Sequence, residues 1–143
     1  MEFEFSGIQA AIAEFNPEAK IAFLTISKRI ETRFFSRGGN PPGGTIVDTV
    51  ATHANMKDFY MVPIESRQGT VAPLHYRMHY NTIPLKADHF QQITYMLCFM
   101  YFNWNGPVKI PSPVQYAHKL AYLVGTHLHT DPHKNLSKSL FFL

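Results

Sequence analysis

The sequence predicts an α/β domain, a mixed sheet with two helices packed on it at the C-terminal end. Four short segments rich in apolar and β-branched residues come first, and two longer segments with apolar residues at helical spacing follow them. The composition, 45% hydrophobic and 16% charged over 143 residues, supports one core and excludes a disordered chain. No repeat, low-complexity tract or linker divides the chain, so residues 1–143 are read as one unit.

Gly7 to Phe15 (GIQAAIAEF) reads as the end of a helix, closed by Asn16-Pro17. The apolar run Ile21 to Ile26 is of the continuous kind expected of a central strand buried on both faces. A basic stretch follows with Lys28, Arg29, Arg33 and Arg37, and then GGNPPGG, Gly38 to Gly44, which is a loop by its glycine and proline content. Further strands are expected at Thr45 to Val50, Asp58 to Ile64 and His75 to Tyr80. The last sets His75, Arg77 and His79 against Tyr76, Met78 and Tyr80, so one of its faces should be wet and basic. Helices are expected from Lys86 to about Phe102, with Phe90, Ile93, Leu97, Met100 and Tyr101 on one stripe, and from Pro113 to about Leu128. Ser112 before Pro113 has the residue types of a cap and first helical turn.

Charge and cysteine content narrow the class. Net charge is +3, but Glu2, Glu4, Glu14 and Glu18 are all the charges before Lys20, leaving 13 basic against 6 acidic residues in the rest of the chain. That surplus is compatible with a phosphate-bearing partner without demanding one. The single cysteine, Cys98, excludes an intrachain disulfide framework and sits in an apolar run, as a buried reduced thiol would. The acidic N-terminus is unlike a secretory signal and no stretch has the length of a membrane span, so a soluble chain of the cytosol or nucleus, with no membrane partner, is expected.

Few residues stand out for chemistry. Asp48 falls in an apolar strand, where a carboxylate needs compensation: it either accepts hydrogen bonds at the strand end or binds a hard cation such as Mg²⁺. His118 lies early in the last helix, 70 positions from Asp48, and spacing alone gives no reason to link them. His127, His129 and His133 have the look of a zinc half-site, but their spacing points to different faces and one cysteine cannot complete it. No phosphate loop, nucleophile elbow or dinucleotide fingerprint is present. Phe34, Phe35, Tyr101, Phe102 and Trp104 have the chemistry to stack on bases, although such residues are more often core.

Read together, Lys28 to Phe35 (KRIETRFF) and Asn40 to Asp48 (NPPGGTIVD) closely resemble the KRI-x-TRFF and NP-x-x-GT-x-x-D strings of Piwi proteins. The resemblance continues through Gln68 to Tyr76 (QGTVAPLHY), Leu97-Cys98 and Ile110 to Ala121 (IPSPVQYAHKLA), in order and over nearly the whole chain. Within the Argonaute family it is similar to the Piwi clade, because Leu123 stands where Argonaute-clade proteins carry a phosphate-binding arginine and the chain ends Phe141-Phe142-Leu143.

The resemblance implies the C-terminal half of an RNase H-like Piwi domain. In slicing members two aspartates, a histidine and an inserted glutamate hold Mg²⁺; Asp48 matches the second aspartate and His118 the histidine, while the first aspartate and the glutamate would belong to sequence ahead of Met1. The terminal carboxylate of Leu143 would help bind a metal at the 5′ phosphate of a guide. RNA contacts are implied for Lys28, Arg29, Arg33, Arg67, Gln68, Thr70, His75, Gln115 and Lys119. The implied partners are a small guide RNA and its target RNA, with other silencing proteins. The implied function is RNA binding in small-RNA silencing of the piRNA type, without catalysis by this chain alone. The alternatives are part of a Mg²⁺-dependent RNA-guided endoribonuclease, and a degenerate fragment that engages protein partners.

Overall fold

A computed structural model of the chain describes residues 2–53 and 57–143. Helix α1 (Glu2–Phe15) leads into strands β1 (Ala22–Ser27), β2 (Thr45–Val47), β3 (Asp58–Val62) and β4 (Leu74–Asn81). Helices α2 (Ala87–Leu97) and α3 (Ser112–Leu123) follow, α3 running on into a π-helical turn, Val124–Leu128, before a short 3-10 turn at Lys134–Leu136.

The strands form one sheet in the order β1-β4-β3-β2. All three pairings are antiparallel, so the mixing in this α/β fold is of helices with strands and not of strand directions. Period-2 alternation gives the sheet two faces. On one, the cross-strand pairs Phe59↔Tyr76 and Met61↔Leu74 build the core, with Leu24, Ile26, Ile46 and Tyr95 of α2 packed against it. Phe59 and Tyr76 lie parallel, ring centroids 4.8 Å apart. Tyr60 and His75 stack 4.3 Å apart as partners on the opposite face, where Phe34 meets Tyr60 edge-on.

Several boundaries differ from those the sequence suggests. The apolar run of β1 lies at the sheet edge and not at its centre, and its residues are only half-buried. Phe5 of α1 supplies part of the cover, stacking on Phe23 at 4.8 Å. Strand β2 stops at Val47, leaving Asp48 exposed beyond it, because the chain turns there: Thr52 Oγ1 donates to the Asp48 carbonyl and Asp58 captures His53. Helix α2 ends at Leu97 and not near Phe102, since the returning chain takes its terminal carbonyls. Ser112 Oγ donates to Leu97 O at 2.7 Å and Val108 N–H to Cys98 O at 2.8 Å. The Ser112 hydroxyl is therefore a tether between α2 and α3 and not a helix cap. The basic face of β4 is wet only towards its end: His79 is exposed, but His75 is buried beneath Tyr60 and Asp58. Cys98 is fully buried, which pushes its thiol up to about 11.

Candidate nucleic-acid interface

The segment after β1 carries Lys28, whose ammonium donates to His118 Nδ1 of α3 at 3.1 Å, with Nε2 3.5 Å away. This contact joins the end of β1 to the middle of α3 across 90 positions. On α3, Gln115, His118 and Lys119 share a face by their i, i+3, i+4 spacing. Lys119 Nζ lies 5.6 Å from the centroid of the Tyr101 ring.

Arg33 folds back on its own loop, its Nη1 donating to Ile30 O and Thr32 O at 2.7 and 2.8 Å, while Arg29 is exposed. Burial, and then the charge of Arg33, hold the Lys109 ammonium, three residues ahead of α3, below the usual lysine value. Among the described residues none of Lys28, Arg33, Lys109 and Lys119 pairs with a carboxylate; the ion pairs are those of Asp58 with His53 and His75. Cations gathered without counter-charges leave their attraction for an anionic partner unspent.

The loop bearing Arg67, Gln68 and Thr70 is exposed and held from below by Asn40. Its Nδ2 donates to Gly69 O at 2.8 Å and Ser66 O at 3.3 Å, and its Oδ1 accepts from Val71 N–H at 2.9 Å. Gly69, at φ +71°, supplies the left-handed residue the turn requires. The two loops that looked separate in sequence are thus one structure. His75, by contrast, commits Nε2 to Asp58 Oδ2 at 2.8 Å and its ring face to Tyr60, and it is too buried to meet a solvent-borne ligand directly.

Asp48 and His118, the side chains matched to metal binding, are each engaged by another side chain. Asp48 Oδ2 accepts the amide of Gln91, a buried residue of α2, at 2.8 Å. The His118 ring instead receives the Lys28 ammonium, a cation where Mg²⁺ would need to approach. No three His, Cys, Asp or Glu side chains among the described residues are arranged to hold a metal. Leu143 closes a turn by donating its N–H to Leu140 O, beside Phe142, whose ring meets Tyr116. Among the described residues, Asp48 and His118 alone do not make up the donor set that a Mg²⁺ centre needs.

Four residues with evident roles carried little signal in the sequence. Lys109 was hidden in an apolar stretch, Gln91 in a helical pattern, and Asn40 in a loop defined by glycine and proline. Asp58 began an apolar strand, yet its side chain is fully buried and accepts from His75, His53 N–H at 3.1 Å and His53 Nδ1 at 3.3 Å. An aspartate inside a strand with histidines 5 positions before and 17 after it was the available clue.

The Piwi domain family profile matches residues 1–129, and the chain belongs to that family. It is 46% identical over 134 residues to Piwi-like protein 1 of Gallus gallus, covering 91% of this chain and 15% of that protein. It is 44% identical over 124 residues to Protein piwi of Drosophila melanogaster, covering 87% of this chain and 15% of that one. The crystal structure of Drosophila Piwi superposes with a TM-score of 0.89 at 40% identity, over 99% of this chain and 21% of that chain. The C-terminal lobe of a budding yeast Argonaute gives 0.81 at 21% identity, over 98% of this chain and 36% of that chain, and shows the fold alone. The chain thus spans about 15% of the length of these curated relatives. No helix among the described residues is long and apolar enough to cross a membrane.

Proposed function

We propose that this chain is an RNA-binding part of a Piwi-type silencing protein, holding the backbone of a small guide RNA paired with its target, and that it does not cleave RNA by itself. The observation that carries this reading is that Lys28, set against His118 of α3, Lys119 of α3 and Lys109, three residues ahead of that helix, have no carboxylate partner among the described residues. Such a surface recognises phosphates and not base sequence, as suits a protein whose specificity is delegated to base pairing. A solved relative, the Kluyveromyces polysporus Argonaute, was crystallised with a guide RNA. Its 22% identity lends the fold, and the ligand is carried over as part of the proposal.

The test is the salt dependence of binding. Anisotropy of a labelled single-stranded RNA should report binding at low salt, with log Kd rising linearly with log salt. Lys109→Ala should reduce that slope by about 0.7, the value of one phosphate contact on a single strand. Absence of binding at low salt, or a slope indifferent to Lys109, overturns the reading.

A second reading, that the chain packs as part of a longer RNA-guided endoribonuclease, is favoured by one observation. Ile93 and Met96 lie exposed on one side of α2, and Met100 is exposed just beyond its end. A stripe of that kind asks for a protein neighbour.

A further inference from the structure

We propose that the loop following α2, Phe102 to Gly106, is a stacking platform for unpaired bases of single-stranded RNA. The proposal rests on the RNA-binding reading above and assigns a second kind of contact to it.

The aromatic side chains of this loop are turned outward. Phe102 is 79% exposed and Trp104 63%, and together with Asn103, Asn105 and Gly106 they line an open cavity of about 540 Å³. Exposed aromatics on a slack loop would fold onto the nearest apolar surface, but this backbone is fixed. Tyr116 Oη accepts the Phe102 N–H at 2.9 Å and donates to Met100 O at 3.3 Å; Trp104 N–H donates to Tyr101 O at 3.2 Å, and Val108 N–H to Cys98 O at 2.8 Å. Gly106 lets the indole lie close over the chain, since a Cβ there would stand 3.1 Å from Trp104 Nε1.

The surroundings select a nucleotide over an apolar protein segment. Phe102-Asn103-Trp104-Asn105 interleaves π-faces with exposed amides, which suit base faces and base edges respectively. The loop is also continuous with the cation of α3: Tyr101 packs on Tyr116 at 5.4 Å, and Lys119 stands over Tyr101. A base on the aromatics would put its phosphate towards Lys119, whereas an apolar partner would leave that charge and two amides without partners.

Trp104 is the only tryptophan, so its emission reports on this loop alone. The full chain is titrated with single-stranded RNA while RNA anisotropy and tryptophan emission are followed together. Emission should be quenched along the same isotherm as the anisotropy. Phe102→Ala should weaken single-strand binding roughly tenfold, within the range for loss of one base–aromatic stack, while leaving the salt slope and the affinity for blunt duplex RNA unchanged. Because Phe102 is largely exposed, the variant should unfold at the temperature of the parent, which separates a lost contact from a lost fold. Binding by anisotropy with steady Trp104 emission and no effect of Phe102→Ala overturns the stacking proposal while leaving RNA binding intact. Emission that shifts with protein concentration and not with RNA assigns the loop to a protein contact and overturns it as well. No binding by either signal overturns both readings.

Discussion

The Asp58 carboxylate should be the most costly polar group to remove from this fold. Its side chain has no solvent contact, and it accepts from His75 Nε2 at 2.8 Å, from His53 N–H at 3.1 Å and from His53 Nδ1 at 3.3 Å. The His75 side chain is 11% exposed and that of His53 61%, so the two partners carry unequal weight. Asp58→Ala strands the His75 ring and should cost about 3 to 5 kcal/mol, the range for breaking a buried pair from one side. Asp58→Asn keeps the shape and one acceptor but loses the charge, for about 1.5 to 3 kcal/mol. His53→Ala should cost no more than about 1 kcal/mol, as exposed partners do. Urea unfolding measures all three, with an unchanged m-value as the control. The pH dependence follows from the same contacts. Burial alone would raise the Asp58 carboxyl, but hydrogen bonds from His75 and His53 and the charge of His75 overcome it and hold the group below its usual value. A carboxyl lower in the folded than in the unfolded chain stabilises above the unfolded value of about 3.9 and loses that contribution as pH falls through the folded one. The parent should therefore lose stability below about pH 4 more steeply than Asp58→Asn. Equal stability of Asp58→Asn and the parent, or a cost for His53→Ala matching that of Asp58→Ala, would refute the account.

Substitutions at two further positions test side chains that join distant segments. Asn40→Ala removes three hydrogen bonds to the Ser66–Val71 loop and should cost about 1 to 3 kcal/mol, while weakening RNA binding by loosening Arg67 and Gln68; proteolysis at that loop and anisotropy would show both effects. Asp48→Asn retains an acceptor for Gln91 and should cost under about 1 kcal/mol, whereas Asp48→Ala should cost about 1 to 2 kcal/mol. With Mg²⁺ and a complementary guide and target, the RNA should remain whole in both variants and in the parent, and Asp48-dependent cleavage would contradict the donor geometry described above.

Element types were readable because they depend on local periodicity. The alternation in β4 and the apolar spacing in α2 and α3 required no knowledge of distant residues. What covers a face is a different kind of fact. His75 and His79 look equivalent in sequence, yet one is buried because Tyr60 and Asp58 lie opposite it on β3, and the other stays wet. Asp48 shows the same limit: the need for a partner was legible, but the partner, Gln91, is 43 positions away on another element. His118 and Lys28 are 90 apart. The resemblance placed Asp48 and His118 in a common site, while the local geometry gives each a different neighbour.

Strand β1 unites these observations. Its composition, Ala-Phe-Leu-Thr-Ile-Ser, is that of a strand with a neighbour on each side and cover on both faces. Among the described residues it has one strand neighbour, β4, and its side chains are largely half-buried. An apolar strand with a free edge is a liability that folded proteins cover or pair. The exposed side of α2 makes the same demand from the other layer, and the relatives that match this chain extend well beyond it. The α3 cations and the Phe102–Gly106 loop make no such demand, since they are polar or rigidly held by contacts within the chain. If the proposed RNA binding holds, the apolar surfaces and the charged and aromatic ones have different partners and should respond independently: salt and Phe102 should govern RNA affinity, while changes along β1 or α2 should govern self-association.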